Sequence, residues 1–485
     1  MTMDAAPDYQ HQPPPAEAAS AEARLKGHLG HLTTGEESAF EEFRKLAAKE
    51  GLYTPATDVK KASHDDGTLI RYLRARKFVP QEAFAQFKDT EIWRKDNDLD
   101  ALYEKIDIHD YQEARSVYPQ WTGRRDRRGI PVYLYEVGKL DSKKMIAYSS
   151  STSKSKEKGP SPSRMLRLFA LYENLTRFVM PLCSAVPGRP NPETPVDQSN
   201  NIVDISHVGL KQFWNLKSHM QDASTLATAH YPETLDRIFI IGAPSFFPTV
   251  WGWIKKWFDP ITTSKIFILS HKQVLPTLIS FIDIANIPMK YGGELDFECG
   301  KTPVLDQQVR DCLSIAAGSD AERLFLSAPV RWIDAGDDEM TALGVGSIDG
   351  KQRKEAVATL HSLAVRVATS SSRHTQRQGT ETVGAPASRP FTHHNQTALP
   401  GRPASKGQAT PSSQPTGIQP APNADLSVAS LHDQPVPAGG VLQHHLQNGG
   451  PPEKISMPTP PAQMERTKTD FFTPPSDPSE IKTLE

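Results

Sequence analysis

Two acidic residues of the sequence, Asp204 and Glu233, are candidates for a general acid and a general base. Asp204 ends a run of β-branched residues, and Glu233 follows a turn-forming proline. Such a pair would support hydrolytic chemistry, but carboxylates at strand ends and turns mostly have structural roles. No GxSxG, GxxxxGKS/T or HExxH motif occurs, and Gly344, Gly346 and Gly350 miss the GxGxxG spacing by one residue. The sequence therefore predicts a protein that is not an enzyme and has no catalytic residues.

Cysteine and histidine offer no metal site and no redox motif. Three cysteines, Cys183, Cys299 and Cys312, form no CxxC pair and no Cys/His ligand spacing. A sparse, odd set of cysteines is typical of a reducing compartment. Paired histidines occur in a polar C-terminal segment, where solvated low-complexity sequence explains them. These pairs are His393/His394 and His444/His445. We expect no metal and no cofactor.

A tryptophan-rich segment is the strongest candidate for contact with an apolar ligand or surface. At about 100° per residue, a set of large apolar side chains falls within an arc of roughly 160°, with Lys255 and Lys256 outside it. The set is Phe246, Phe247, Val250, Trp251, Trp253, Ile254, Trp257 and Phe258. One interpretation is a buried core helix. The other is a helix that enters the interfacial zone of a bilayer, since Trp favours that zone and Lys meets anionic lipid.

Helical patterns precede strand patterns along the chain. Residues 36–98 have helical spacing, with Asp65 and Asp66 available to cap one helix and Pro80 at the first position of the next. From Pro131 onward, short β-branched and aromatic runs alternate with helix-length segments; the runs are 131–137, 201–206, 237–244 and 265–270. This alternation predicts an α/β fold with a mostly parallel sheet.

Composition limits the folded part to less than the full chain. Of 41 prolines in 485 residues, 18 lie between Ser371 and Glu485, together with only three aromatic residues. Such a stretch buries too little apolar area to offset the entropy of ordering it. We therefore predict a disordered Pro-rich tail over 371–485 and a mostly disordered N-terminus over 1–35. The folded part would comprise a helical subdomain (36–98), an α/β domain (99–300) and a C-terminal extension (301–370).

Charge and hydropathy narrow the set of partners. Lys and Arg number 55 against 57 Asp and Glu, for a net charge of −2, so no basic field favours nucleic acid. The N-terminus lacks the basic start and apolar run of a signal peptide, and no uncharged apolar run reaches the ~18 residues of a membrane span. We expect a cytoplasmic protein whose membrane contacts are peripheral.

Five strings of the sequence, in their order and spacing, resemble one protein family. They are LIRYLRARKFVPQEA (69–83), WRKD (93–96), HYPETLDRIFIIGAP (230–244), FDPITTSKIFIL (258–269) and IPMKYGGEL (287–295). They are similar to the CRAL-TRIO lipid-binding family, most closely its fungal phosphatidylinositol/phosphatidylcholine transfer branch. The resemblance implies an N-terminal helical subdomain and an α/β lobe whose sheet floors a pocket for one lipid. It also places the tryptophan-rich segment at the position of a movable gating helix.

The resemblance implies two groups of ligand-binding residues. The family's phosphatidylinositol headgroup positions match Arg76, Glu233, Thr262 and Lys265. Here the two cations would bind phosphate, and Glu233 and Thr262 would bind inositol hydroxyls. A second site, for phosphatidylcholine, matches less well: Tyr133 and Ser199 are retained, but Asn201 and Thr122 replace a threonine and a tyrosine. The lost ring removes a cation–π face for choline, so the second ligand could be another phospholipid or a sterol-like molecule.

The implied function is extraction of one phosphatidylinositol molecule at a membrane surface and its release at another membrane or to a lipid-modifying enzyme. The expected protein is a monomer that binds phospholipid as its ligand and needs no cofactor, and family resemblance points to Golgi or endosomal membranes. Two alternatives stay open at this point. One is a carrier of another hydrophobic ligand. The other is a membrane-targeting adaptor whose tail recruits partners.

Overall fold

The computed structural model describes residues 24–57, 60–140, 142–150, 161–255, 263–316, 319–336 and 339–361. The tail predicted over 371–485 and residues 1–23 of the predicted N-terminal stretch lie outside the described residues. Among the predicted site residues, Trp257, Phe258 and Thr262 also lie outside them, as does Lys256.

Three helices form the N-terminal region, and two of them begin with a side-chain cap. Helix α1 (Thr34–Lys49) begins with a capping box at Thr33. Helix α2 (Asp66–Ala75) begins at Asp65, whose carboxylate accepts a backbone N–H at 2.8 Å. Helix α3 (Pro80–Asp96) opens with the proline at its first position, where the missing N–H costs nothing. Asp65 and Pro80 thus lie at the helix starts that the sequence predicts for them.

Aromatic contacts hold these helices together and join them to the rest of the fold. The ring of Phe87 packs edge-on against Phe43 at 5.6 Å and against Tyr72 at 5.3 Å between centroids. Trp93, near the end of α3, stacks on His230 at 3.9 Å. The N-terminal helices therefore pack directly on the following α/β elements.

The remaining helices follow in chain order. They are α4 (Leu99–Lys105), α5 (Ile108–Val117), α6 (Ser142–Ser150), α7 (Ser163–Asn174), α8 (Met180–Ala185), α9 (Leu210–His230), α10 (Phe247–Ile254), α11 (His271–Phe281), α12 (Gln307–Asp311) and α13 (Ser319–Ser327). A π-helical turn (Leu175–Val179) joins α7 to α8, and short 3₁₀ turns cover Val137–Lys139, Ile284–Asn286 and Met289–Tyr291. None of the described helices is long and apolar enough to cross a bilayer.

A five-stranded sheet forms the centre of the fold. Its strands are β1 (Gln120–Arg125), β2 (Pro131–Glu136), β3 (Ser199–Asp204), β4 (Leu235–Ile241) and β5 (Ile266–Leu269), in that spatial order. Strands β2 to β5 run parallel, as crossover helices between them require. The predicted α/β class with a mostly parallel sheet is confirmed. Strand β1, which pairs antiparallel with β2, was absent from the prediction.

The two faces of this sheet have different roles. Val132, Leu134, Ile202 and Phe239 are buried on one face, in a cluster that includes Leu278 of α11. The alternate residues project to the opposite face, because side chains along a strand point to opposite sides. That second face carries one registered row across four strands: Tyr133, Asn201, Ile238 and Ile266.

A second, antiparallel sheet follows the central one and was not predicted. Its strands are β6 (Leu313–Ile315), β7 (Val330–Gly336), β8 (Glu339–Gly344) and β11 (Glu355–Leu360), in the order β6-β11-β8-β7; β9 (Ser347–Ile348) and β10 (Lys351–Gln352) form a separate small pair. The indole N–H of Trp332 donates to the carbonyl of Phe178 at 3.0 Å, and the hydroxyl of Tyr103 donates to the carbonyl of Val330 at 2.8 Å. These bonds anchor β7 to the preceding helices.

Candidate functional site

A cavity of about 330 Å³ lies on the second face of the central sheet. The sheet contributes a floor of Tyr133, Tyr135, Asn201, Val203, Ile238 and Ile240. Among the described residues that line the cavity there is no Asp, Glu, Lys or Arg. A concave space with an apolar, uncharged lining suits the hydrocarbon part of a ligand.

Helix α9 forms one wall of the cavity through a single face. The lining residues on it are Phe213, Leu216, His219, Met220, Ala223, Ser224 and Ala227. Their spacing of three and four residues is that of one side of an α-helix. The small side chains in the second half of α9 leave room for a ligand, whereas larger ones would fill it.

Helix α10 covers part of the cavity with the predicted aromatic stripe. Phe246, Phe247 and Trp251 line the cavity, and the rings of Phe247 and Trp251, one turn apart, lie 6.2 Å apart between centroids. Val250 is buried in the hydrophobic core, whereas Trp251 retains partial exposure. Lys255, just beyond the helix, is exposed. The described part of the stripe therefore serves both as core and as cavity wall; Trp253 and Ile254 lie in the helix.

A charged cluster lies near the amino ends of β4 and β5. The carboxylate of Glu233, a residue with a positive φ of 56°, accepts hydrogen bonds from Arg74 at 3.1 Å and from Lys265 at 3.2 Å. The ammonium of Lys265 also donates to the carbonyl of Leu235 at 2.9 Å, and Leu235 lines the cavity. The cluster therefore borders the apolar space.

The four residues predicted to bind the phosphatidylinositol headgroup are only partly brought together among the described residues. Glu233 and Lys265 are in contact, and Thr262 lies outside the description. Arg76 is the C-cap of α2, and its guanidinium donates to the carbonyl of Ala75 at 3.2 Å. Arg74, two residues earlier, makes the contact with Glu233 instead.

Arg74 also neutralises a second carboxylate of this cluster. Its guanidinium donates to Asp197 at 2.9 Å, and the imidazole of His28 lies 3.4 Å from the same carboxylate. Burial alone would raise the pKa of Asp197, but the charge of Arg74 and the bond from His28 outweigh burial and hold this pKa below its ordinary value. Asp197 therefore stays ionised, and Arg74 is required to balance it.

Three of the four residues predicted for a second phospholipid site line the cavity: Tyr133, Ser199 and Asn201. Ser199 donates to the carbonyl of Thr234 at 3.2 Å, and the amide of Asn201 lies 3.4 Å from the hydroxyl of Ser199. Thr122 does not line the cavity. It is fully buried in β1, where its hydroxyl donates to the carbonyl of Val132 at 2.9 Å.

The carboxylate pair considered for catalysis is divided between two structural roles. Asp204 accepts hydrogen bonds from the hydroxyl of Tyr291 at 2.9 Å and from the backbone N–H of Ser206 at 2.9 Å, and pairs with Lys290 at 2.6 Å. Glu233 is bonded to Arg74 and Lys265 instead. Each carboxylate thus has its own cations and donors.

Comparisons with known proteins agree with this architecture. The CRAL/TRIO domain matches residues 115–293, and the CRAL/TRIO N-terminal domain matches residues 39–89. The SEC14 cytosolic factor of Eremothecium gossypii is 32% identical over 277 residues, which is 57% of this chain and 82% of that protein. The chain belongs to the CRAL-TRIO family. This confirms the resemblance read from the five sequence strings.

Other relatives extend the comparison beyond one organism. The Sec14 cytosolic factor of Schizosaccharomyces pombe is 31% identical over 268 residues, covering 55% of this chain and 85% of that protein. The phosphatidylinositol/phosphatidylcholine transfer protein SFH7 of Arabidopsis thaliana is 32% identical over 255 residues, which is 52% of this chain and 42% of that protein. The CRAL/TRIO match includes all five strands of the central sheet and ends before the antiparallel sheet, which begins at Leu313.

Several residues of this CRAL-TRIO site escaped the sequence reasoning. Arg74 and Asp197 are 123 positions apart, and no local pattern links them. His219 and Tyr118 on the cavity wall were also missed, although the period of α9 places His219 on the same face as Leu216 and Ala223. Burial lowers the pKa of His219 to about 4, so its imidazole is neutral at neutral pH.

Proposed function

We propose that this protein binds one phospholipid with its acyl chains in the cavity and exchanges it at membrane surfaces. The observation that carries the proposal is the uncharged lining of the cavity over the sheet. Each buried methylene is worth about 0.8 kcal/mol, so two acyl chains cross water slowly unless a dry space replaces the bilayer around them. Relatives named as phosphatidylinositol/phosphatidylcholine transfer proteins support this choice over a carrier of other hydrophobes or an adaptor.

The charged cluster is the proposed location of the phosphatidylinositol headgroup. Lys265 and Arg76 would contact the phosphate, and Glu233 and Thr262 would contact the inositol hydroxyls. Lys265 borders both the cavity and Glu233, which supports this arrangement. A second lipid, phosphatidylcholine or another, would use Tyr133, Ser199 and Asn201.

The cellular setting belongs to the same proposal. The protein would act as a monomer from the cytoplasm, touch Golgi or endosomal membranes transiently, and release lipid to a membrane or to a lipid-modifying enzyme. No catalytic step and no cofactor enter this scheme.

Mass spectrometry of lipids that co-purify with the full-length protein tests the proposed function. We expect phosphatidylinositol at close to one molecule per chain, and transfer of labelled phosphatidylinositol between vesicles by the same preparation. Deletion of residues 371–485 should leave transfer intact, because the described residues that line the cavity and form the charged cluster all precede residue 371. If no phospholipid co-purifies with the protein, and deletion of the tail abolishes the protein's function in cells, the protein is an adaptor instead.

The gate is a separate prediction. Phe247 and Trp251 cover part of the cavity, and we expect α10 to move when a lipid passes, exposing apolar side chains that can enter a membrane interface. Lys255, exposed beside α10, would meet anionic headgroups. Lys255→Glu should weaken co-sedimentation with phosphatidylserine vesicles and slow transfer, most strongly at low salt.

Thermal stability of the Lys255→Glu variant should match the wild type, because Lys255 is exposed and lies off the apolar arc. Lys45→Glu, an exposed substitution on α1, is the matched control and should bind vesicles normally. If the Lys255→Glu variant binds vesicles at low salt as well as the Lys45→Glu control and the wild type do, α10 is not the membrane-facing gate.

A further inference from the structure

A pair of polar rings interrupts the apolar wall of the cavity. The imidazole of His219 stacks on the ring of Tyr118 with centroids 4.1 Å apart and planes 23° apart. Both residues line the cavity, and they are 3% and 4% exposed respectively. Neither residue belongs to the headgroup cluster or to the phosphatidylcholine positions.

Hydrogen bonding fixes the tautomer of His219. Its Nε2 lies 3.1 Å from the carbonyl oxygen of Val117, and a carbonyl can only accept, so Nε2 carries the proton. The hydroxyl of Tyr135 donates to the same carbonyl at 3.1 Å, so both lone pairs of that oxygen are used. Nδ1 of His219 is therefore an acceptor.

The other polar atoms of the pair have no partner within the described part of the chain. Nδ1 of His219 and the hydroxyl of Tyr118 are both buried and unbonded there. Buried polar groups in folded proteins are nearly always hydrogen-bonded, since an unmet donor or acceptor loses its water without compensation. An acceptor and a donor left open beside a cavity have the pattern of a ligand contact.

We propose that His219 and Tyr118 form a subsite for an uncharged hydroxyl group carried on the apolar body of a lipid. The ligand hydroxyl donates to Nδ1 of His219 and accepts from the hydroxyl of Tyr118. A ligand carbonyl could accept from the hydroxyl of Tyr118 but would give Nδ1 of His219 no donor. A charged ligand group would find no counter-ion among the described lining residues. The inference rests on the proposed function, because it requires a lipid in the cavity.

Two lipid sources carry this chemistry, a hydroxylated acyl chain and an uncharged lipid alcohol. The first is tested with phosphatidylcholine bearing a ricinoleoyl chain against the same lipid bearing oleoyl, which differs by one hydroxyl. The second is tested with diacylglycerol against its acetate ester, which cannot donate. Competition for loading from vesicles into the full-length protein should favour the hydroxyl member of at least one pair by roughly three- to tenfold, the range for one net hydrogen bond.

Tyr118→Phe removes the donor and should abolish that preference. It should also raise the melting temperature of the lipid-free protein, because it deletes an unpaired buried hydroxyl. Tyr111→Phe is the matched control: Tyr111 is buried on α5, does not line the cavity, and should keep the wild-type preference.

The outcomes separate this inference from the proposed function. Phospholipid loading with no preference in either pair, or a preference that persists in Tyr118→Phe, would overturn the subsite and leave phospholipid exchange intact; the pair would then be bridged by water. Failure to load any lipid would overturn both.

Discussion

Replacing Ala223 by Trp should reduce phospholipid loading and transfer at least tenfold in a protein that still folds. Ala223 lies on the face of α9 that lines the cavity, and its methyl group leaves space beside Met220 and Ala227. An indole at this position occupies volume that the acyl chains need. Because the ring would extend into the cavity and not into a packed core, it should cause less strain than overpacking of the core would.

Loading is measured by quantitative mass spectrometry of extracted lipid, and transfer by movement of labelled phosphatidylinositol between vesicles. Asn215→Trp provides the matched control, since Asn215 is exposed on the same helix and is not part of the cavity lining. The control should load and transfer normally. Normal loading by a folded Ala223→Trp protein would show that lipid lies elsewhere.

Phosphatidylinositol transfer should fall by an order of magnitude or more when Lys265 and Arg76 are both replaced by Ala. Hydrogen bonds to charged groups contribute about 1.5 to 3 kcal/mol each, and about 1.4 kcal/mol corresponds to a tenfold change. Lys265 makes its contacts at the border of the cavity, where partial burial reduces screening. Loss of both cations leaves Glu233 with Arg74 as its remaining contact in the described cluster.

The test compares transfer of labelled phosphatidylinositol with transfer of phosphatidylcholine, which should be affected less. A control variant with Lys45 and Lys272 replaced by Ala removes two exposed cations that make none of the cluster's contacts described above, and it should transfer both lipids normally. A folded Lys265/Arg76 variant with wild-type phosphatidylinositol transfer would remove the headgroup assignment. Arg74→Ala would then be the next variant, with an expected loss of stability because Asp197 is left buried and charged.

Local sequence signals predicted much of the fold. The cap at Asp65, the proline at the start of α3 and the β-branched runs of β2 to β5 act within one turn or one strand. The α/β class follows from their alternation. The apolar stripe of α10 likewise depends only on the 3.6-residue period, and its described part lies where that period places it.

Long-range packing decided what local signals could not. Strand β1 and the antiparallel sheet after residue 312 are stabilised by pairing and by bonds such as Trp332 to Phe178, which join positions 154 residues apart. Short strands without such partners have little intrinsic preference for extended structure.

The candidate site shows the same division between local and tertiary information. The sequence by itself determined which residue types resemble a lipid site, including Glu233 and Lys265. Only the tertiary structure decided that Arg74 rather than Arg76 contacts Glu233, that Thr122 is buried away from the cavity, and that His219 meets Tyr118 on its wall. Each of these contacts joins elements distant in sequence, and their geometry arises only when the sheet and helices pack together.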